Sequence, residues 1–209
     1  GTRGRIYVTQ NAGWWYQSEG MAQPEHGESS WDNQQTAGQI EVMLHRRFAK
    51  FGLTLHPEKT RTVSFGRYER ENARRQGRKA NTFDFLGFTH FCGLSRKGRF
   101  LPGRKTSGKK FSRACKEMNE WLKRVRCHSR TKEWWPLLAA KLRGHYQYYG
   151  VSANSRMIAQ FGYVTKRLLH KWLNRRSQKK SLSWKQLDAY LACYPLPCPR
   201  IVHSLYKPS

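Results

Sequence analysis

The amino-acid sequence predicts an α+β fold that is mainly α, with a small helix–strand and β-hairpin region followed by a helical bundle. Three observations support this prediction. Apolar residues recur every three or four positions over most of the second half, as on helices with one buried face. The segment 82–91 is rich in aromatic residues and has the composition of a strand. Glycine and asparagine separate the helical patterns, as is typical of helix ends.

The first 36 residues differ in composition from the rest of the chain. Acidic residues outnumber basic ones there by four to two, whereas the whole chain carries 40 Lys and Arg against 13 Asp and Glu. Asn, Gln, Gly and Ser are abundant in this part, and no period of two or 3.6 residues persists. We therefore predict that 1–36 are a disordered or aberrant N-terminal segment.

Three elements are predicted between this segment and the hairpin. Apolar residues at helical spacing predict a helix over about 37–51, and Gly52 is placed for a left-handed C-cap. Weak alternation at 60–65 predicts a short strand. The basic and polar run at 66–81 is interpreted as a solvated loop.

The hairpin has the strongest strand signal in the chain. A single strand is predicted over 82–91, and Gly87 inside it predicts a β-bulge or a close approach of another backbone. A turn at 93–98 and a returning segment at 99–101 complete the hairpin.

Four helices are predicted after the hairpin. The first begins near Ser107, and the second covers about 133–149 with Pro136 in its first turn. The third covers about 155–176 and is capped by Asn154. The predicted buried positions of the first three helices are Phe111, Cys115, Met118, Leu122 and Val125; Leu138, Leu142, His145 or Tyr146, and Tyr149; and Met157, Phe161, Val164, Leu168 and Trp172.

The last helix is short and is followed by a proline-rich tail. Ser183 and Gln186 form a capping box at its start, and Leu187, Tyr190 and Leu191 are its predicted core positions. The tail contains too many prolines for a further helix, so we expect it to run extended along the surface.

The net charge of +27 is the dominant property of the composition. Such a field favours a polyanionic partner, and nucleic acid is the partner that we predict. A run of 18 apolar residues and a secretory signal pattern are both absent from the sequence, so we expect neither membrane insertion nor secretion.

The chain has five cysteines, an odd number, and their spacing is irregular. This predicts free thiols in a reducing compartment. Cys193, Cys198 and His203 are spaced too loosely for a structural zinc site. No metal site is therefore predicted.

Cations and aromatic residues alternate densely between 141 and 194. Phosphates pair with Lys and Arg, and unpaired bases stack on aromatic rings, so this pattern favours RNA binding. A generic solvated basic face remains an alternative because the total charge is so high. The candidate RNA-binding residues are Arg104, Lys105, Lys109, Lys110, Arg143, His145, Tyr148, Arg156, Arg167, Lys171, Arg175, Arg176, Lys179 and Lys180.

Paired carboxylates, which nucleotidyl transfer needs in order to hold two divalent metals, are not evident. The aspartates are Asp32, Asp84 and Asp188, and no two of them share a motif. The Ser, His and Cys residues also lack a nucleophile–base arrangement. We therefore assign no catalytic residue and leave open whether the protein is an enzyme.

Several stretches resemble the group II intron reverse transcriptases, or maturases. The strings LRGHYQYYGVSANSR and WLNRRSQKKSLSW are similar to the maturase-specific (thumb, or X) region, and FAKFGLTLHPEKTRTVSF is similar to the end of the palm. The string FLGF resembles the primer-grip element, which implies that Phe85, Leu86 and Gly87 lie near a primer. Ordinary packing is an equal alternative for these aromatic residues.

The resemblance covers about 37–207 and implies a domain organisation. Residues 37–105 would be the C-terminal remnant of a reverse transcriptase palm, and 106–209 a thumb or maturase-specific helical domain with an extended tail. The fingers, the catalytic YxDD hairpin and an endonuclease region are missing, so the resemblance implies a truncated member of the family. Lys59 occupies the position of a palm lysine and is interpreted as vestigial.

The resemblance also implies partners and a location. The expected partner is RNA, namely a group II intron. An RNA–DNA template–primer duplex is a second expected partner. The expected location is the bacterial cytoplasm or an organellar matrix. Mg²⁺ is expected only for the complete family enzyme, so no cofactor is predicted for this chain.

Three hypotheses follow. The first is an RNA-binding, maturase-type fragment of a group II intron-encoded protein, which binds intron RNA and assists splicing. The second is a portion of an RNA-directed DNA polymerase that requires the missing fingers and palm. The third is a nonfunctional relic that binds polyanions nonspecifically.

Overall fold

The structure is a computed structural model, and it describes residues 6–9, 42–54, 60–95, 97–128, 130–175 and 181–204. The fold is α+β and mainly α, as predicted. The elements in chain order are β1 (Ile6–Thr9), α1 (described over 42–49), β2 (Thr60–Val63), α2 (Glu69–Arg75), β3 (Thr82–Phe85), β4 (Phe88–Leu94), β5 (Phe100–Thr106), α3 (Gly108–His128), α4 (Thr131–Tyr149), α5 (Ser155–Asn174) and α6 (Trp184–Cys193).

The chain divides into two compact units. The first comprises Gly1–Phe85 and His90–Pro102, and the second comprises Leu86–Thr89 and Gly103–Ser209. We call them the sheet unit and the helical unit. None of the helices in the described ranges combines the length and the apolar character that crossing a bilayer requires.

The core of the sheet unit is small and aromatic. Phe65 packs edge-to-face on Phe83, with ring centroids 5.2 Å apart, and on Phe100 at 6.3 Å. Val63 and Cys92 complete this buried cluster. β1 pairs antiparallel with β2, while the other three strands form a sheet in the order β3-β4-β5. The sequence did not predict β1, because four residues within a polar segment are too few to establish a period.

The prediction of a loop over 66–81 is wrong at Glu69–Arg75, which form α2. The buried carboxylate of Glu69 accepts hydrogen bonds from Arg78 Nη1 at 2.6 Å and from the backbone N–H of Asn81 at 3.1 Å. Although burial alone would raise the pKa of Glu69, these hydrogen bonds lower it on balance. Only Ala73 joins Glu69 on the buried side, so the sequence contains no apolar period that would predict this helix.

The single strand predicted over 82–91 is also wrong, because a turn divides it into β3 and β4. Leu86 and Gly87 have φ values of 47° and 82°, and two positive φ values are typical of a tight hairpin turn. Leucine rarely adopts a positive φ, which explains why the sequence predicted a bulge at Gly87 instead. The following hairpin is confirmed, since β4 ends at Leu94 and β5 begins at Phe100.

α3, α4, α5 and α6 surround the core of the helical unit. The buried residues of this core are Met118, Leu122, Trp134, Trp135, Leu138, Leu142, Tyr146, Ile158, Phe161, Leu169, Trp172 and Leu187. α3 packs most extensively against α5. The two helices run in the same direction, because Phe111 contacts Phe161 near their starts and Arg126 contacts the backbone of Arg175 near their ends.

Most of the predicted helical faces are confirmed. The buried positions predicted for α3 and α6 lie in or against the core. On α5, however, the buried face is formed by Ile158, Phe161, Thr165, Leu169 and Trp172. The prediction had Met157 and Val164 in place of Ile158 and Thr165, whereas the predicted Leu168 packs against the core beside the buried Leu169. Met157 and Ile158 are both apolar, so the period alone could not select between them.

Two predicted helix starts need correction. α4 begins at Thr131, so Pro136 is its sixth residue and lies beyond the first turn. Asn154 does precede α5, but its side chain does not cap the helix. It bonds instead to Thr106 and to the carbonyl oxygen of Tyr149. The capping box of Ser183 and Gln186 on α6 is confirmed.

Candidate nucleic-acid interface

One side of α5 is exposed along the whole helix. Its members follow one another at spacings of three or four residues, opposite the buried face, and so form one stripe. We call this the α5 stripe; it consists of Arg156, Gln160, Tyr163, Arg167, Lys171 and Arg175, all of them exposed. Four of these six side chains are cations. At 1.5 Å per residue the stripe is about 28 Å long.

The middle of the stripe combines a flat ring with a flat cation. Tyr163 is 62% exposed, and the guanidinium carbon of Arg167 lies 5.9 Å from the centroid of its ring. A tyrosine ring and a guanidinium plane are both surfaces on which an unpaired base can stack. The stripe therefore offers a stacking surface between its charged ends.

At its C-terminal end the stripe joins a cluster of cations around Trp172. Arg126, Lys171 and Arg175 lie 4.8, 5.0 and 5.2 Å from the centroid of an indole ring of this tryptophan. The indole Nε1–H donates to Asn119 Oδ1 at 3.0 Å, which fixes the ring between α3 and α5.

A hydrogen bond from α3 to the end of α5 holds Arg126 in this cluster. Arg126 Nη1 donates to the backbone oxygen of Arg175 at 2.7 Å, and cations are favoured where two parallel helices end. No salt bridge in the described ranges engages Arg126, Lys171 or Arg175. Three positive charges therefore converge where an anion would be attracted. The sequence did not point to Arg126, because it reaches this place from a different helix.

Hydrogen bonds join the end of α5 to the segment that precedes α6. Asn174 donates to the carbonyl oxygen of Leu182 at 3.1 Å and accepts from the N–H of the same residue. His170 Nε2 lies 2.8 Å from that oxygen, and its ring stacks on Trp184 with centroids 4.0 Å apart. Arg176, Lys179 and Lys180, three of the predicted RNA-binding residues, lie outside the described residues.

The other predicted RNA-binding cations are not part of the stripe. Lys105, Lys109, Lys110 and Arg143 are exposed, and Arg104 is half-buried. Lys166, a further cation of α5, lies off the stripe and forms an ion pair of 2.5 Å with Asp188 of α6. The structure thus places Arg156, Arg167, Lys171 and Arg175 on one side of α5, whereas Lys105 lies on β5, Lys109 and Lys110 on α3, and Arg143 on α4.

Tyr148 has a structural role in the hairpin turn. Its hydroxyl donates to the carbonyl oxygen of Leu86 at 2.8 Å, and its ring stacks on Phe88 at 5.8 Å. The carbonyl oxygen of Gly87 accepts from the N–H of Ser107 at 2.9 Å. A Cβ at Gly87 would lie 3.1 Å from the hydroxyl of Tyr149, so turn geometry and close packing both explain this glycine.

The primer-grip role of Phe85, Leu86 and Gly87 stays a prediction. Phe85 packs against the core of the sheet unit, whereas Leu86 is 64% exposed at the turn. Lys59 lies outside the described residues. Within the described ranges, groups of three or more His, Cys, Asp or Glu residues that could hold a metal ion are absent.

His145 lies in the core rather than on the binding surface. Its ring stacks on Phe161 with centroids 3.7 Å apart and leans on Tyr149 at 4.7 Å. Burial lowers the pKa of His145 to about 4. The imidazole is therefore neutral at pH 7 and offers no positive charge to a phosphate.

Acidification is expected to destabilise the protein through His145. Because its pKa is lower in the folded protein than the ordinary 6.5, the unfolded chain binds the proton more readily. The stabilisation is complete above pH 6.5 and is lost as the pH falls towards 4. We expect a loss of about 2 kcal/mol, less than the full linkage value because the ring is partly exposed.

Urea unfolding at pH 7.5, 5.5 and 4.5 measures this effect. His145→Phe is the matched variant, because phenylalanine retains a ring to stack on Phe161 and cannot take up a proton. The variant should lose less stability than the parent over this interval. Equal losses in the two proteins would show that His145 does not contribute.

The chain was compared with known proteins in three ways. No family model, no curated protein and no solved structure matches it.

Proposed function

We propose that this protein is an RNA-binding, maturase-type fragment of a group II intron-encoded protein, and that it binds intron RNA to assist splicing. The observation that carries the proposal is the α5 stripe, in which four cations flank an exposed tyrosine along about 28 Å. The resemblance of two strings to the maturase-specific region supports the same function; they cover 142–156 and 172–184, and so include the end of α4 and both ends of α5.

The dimensions of the stripe suit a nucleic-acid backbone. Arg167, Lys171 and Arg175 follow one another at about 6 Å along α5, and Arg156 lies about 16 Å before Arg167, so the four cations can contact phosphates of a single strand. Tyr163, between the first two cations, can stack on an unpaired base. Contacts of these two kinds favour unpaired or distorted RNA over regular duplex.

The same proposal extends to partners and location. An RNA–DNA template–primer duplex carries the same backbone charge and would be a second ligand of the stripe. A bacterial cytoplasm or an organellar matrix is the proposed location, since group II intron RNA is present there.

Removal of the four stripe cations is expected to abolish most of the RNA affinity. In the variant R156A/R167A/K171A/R175A, the slope of log affinity against log salt should decrease by roughly 3, at about 0.7 for each lost phosphate contact on single strands. The four side chains are exposed, so the fold should be retained. Filter binding to a structured group II intron RNA between 50 and 300 mM salt, roughly the range in which such slopes are measured, gives both quantities.

The matched control removes the same charge from the sheet unit. Arg46 and Arg47 of α1 and Arg70 and Arg74 of α2 are exposed arginines, so R46A/R47A/R70A/R74A tests net charge alone. We expect it to retain most of the affinity. Equal losses in the two quadruple variants, or equal affinity of the parent for heparin and intron RNA, would contradict the proposal and favour nonspecific polyanion binding.

A further inference from the structure

A half-enclosed pocket of about 320 Å³ lies between α4 and the C-terminal tail, within the helical unit. α4 contributes Arg143 and Tyr146, which are three residues apart and share one side of the helix. The tail contributes Cys198, Arg200 and an apolar wall that includes Val202. We call it the tail pocket.

Backbone hydrogen bonds hold the tail in this position. The N–H groups of Val202 and His203 both donate to the carbonyl oxygen of Gly150, at 2.7 and 2.9 Å. The N–H of Ser152 donates to the carbonyl oxygen of His203 at 3.1 Å. Arg200 is only two residues from the first of these bonds, so its backbone is fixed beside α4.

The tail pocket is positively charged, and no acidic residue in its lining balances this charge. Arg143 and Arg200 both line it, and no Asp or Glu does. Neither arginine takes part in a salt bridge within the described ranges. Burial, with a smaller contribution from Cys198, raises the pKa of Tyr146 to about 12, so this phenol adds no negative charge at neutral pH.

The shape and lining together select a class of ligand. Two guanidinium groups suit an anion with several oxygen atoms, and arginine binds phosphate oxygens in pairs. Tyr146, Pro197 and Val202 give the rest of the pocket an apolar surface on which a sugar or base can rest. A volume near 300 Å³ is at the lower end of the range for small-molecule sites.

We propose that the tail pocket binds a phosphomonoester, the 5′-phosphate of a nucleotide, with Arg143 and Arg200 on the phosphate and the apolar wall against the nucleoside. The phosphate can belong to a free nucleotide or to the 5′ end of an RNA strand. This site shares no lining residue with the α5 stripe and does not depend on the proposed function of that surface.

Cys198 provides a direct readout of ligand in the pocket. It is exposed and lines the pocket, whereas the exposed Cys193 of α6 does not line it and serves as an internal control. The full-length chain is treated with a limiting maleimide reagent, and peptide mass spectrometry measures the labelling of each cysteine. We expect adenosine 5′-monophosphate to protect Cys198 but not Cys193, and adenosine to protect neither.

Variants of the two arginines test the clamp. R143A and R200A should each raise the concentration of adenosine 5′-monophosphate needed for protection by about 10- to 100-fold, as expected for loss of a charged hydrogen-bonding partner. R156A removes an exposed arginine of the α5 stripe, and in this variant adenosine 5′-monophosphate should protect Cys198 at the same concentration as in the parent. Circular dichroism checks that the helices are retained in all three.

Two oligonucleotides distinguish the sources of the phosphate. Protection of Cys198 by a 5′-phosphorylated trinucleotide but not by its 5′-hydroxyl form would assign the pocket to RNA ends; protection by the mononucleotide alone would assign it to free nucleotides. The proposal is overturned if adenosine protects as well as its monophosphate, or if folded R143A and R200A are protected like the parent. R156A/R167A/K171A/R175A should lose RNA binding yet keep this protection, so the two proposals can fail separately.

Discussion

Replacement of Asn154 by alanine is expected to destabilise the helical unit by about 3–5 kcal/mol. Asn154 is fully buried, and its side chain makes three hydrogen bonds. Oδ1 accepts from the N–H of Thr106 at 2.8 Å, and Nδ2 donates to Thr106 Oγ1 at 2.9 Å and to the carbonyl oxygen of Tyr149 at 2.8 Å. Alanine would leave these buried partners unsatisfied and would also open a small cavity.

Urea unfolding of N154A at pH 7.5 measures this loss. Gln160→Ala is the matched control, because Gln160 is an exposed amide on α5 and should change the free energy of unfolding by no more than about 0.5 kcal/mol. Asn154 bonds to the end of β5 and to the end of α4, and its partner Thr106 lies 48 residues before it along the chain. A loss below about 1 kcal/mol for N154A would contradict the structural role assigned to this side chain.

Replacement of Gly150 by alanine is the second change with a large expected effect. A Cβ at this position would overlap the carbonyl oxygen of Tyr146 and lie 2.7 Å from the carbonyl oxygen of Arg200. Both are backbone atoms, so the tail must move away from α4. We expect a loss of about 3 kcal/mol and weaker hydrogen-exchange protection at Val202 and His203, whose N–H groups bond to Gly150.

Gly144 offers a control on the same helix. It is exposed within α4, and nothing lies within 4 Å of a Cβ placed there. G144A should therefore stabilise the protein by about 0.5–1 kcal/mol, since alanine favours the helix more than glycine does. If the two variants changed the free energy of unfolding in the same direction, the close approach of the tail to Gly150 would be disproved.

The tail pocket and the Gly150 variant are linked. The tail that carries Cys198 and Arg200 is attached to α4 through the carbonyl oxygen of Gly150. A tail displaced by the alanine would separate Arg200 from Arg143, so G150A should also lose the protection of Cys198 by adenosine 5′-monophosphate. This connects a change in packing with a change in binding.

Much of the fold could be predicted from local patterns. The face of α3 that includes Met118 and Leu122 repeats at helical spacing, and Ser183 with Gln186 marked the start of α6. These features depend on residues within two helical turns of one another, so the sequence displays them directly. α2 could not be predicted because it lacks an apolar period. The turn at Leu86 could not be predicted because leucine rarely adopts a positive φ.

The candidate binding residues also divide into those that local sequence could identify and those that it could not. Arg156, Arg167, Lys171 and Arg175 could be named from the sequence, because they occur within a single helix and its end. His145 was named with them, but contact with Phe161 places it in the core. The sequence pattern could not separate the two outcomes, since a histidine suits a buried aromatic cluster as well as an RNA surface.

Composition and residue order are enough to establish that this protein is strongly basic, mainly helical and built around helices with one apolar face. Charge and helical period are properties of the chain that need no knowledge of contacts between distant residues. The folded chain was needed to show that Arg126 joins Lys171 and Arg175 around Trp172, and that Arg143 and Arg200 line the same pocket. Those arrangements depend on how α3, α4, α5 and the tail pack together, and packing is set by side-chain shape across long separations in sequence.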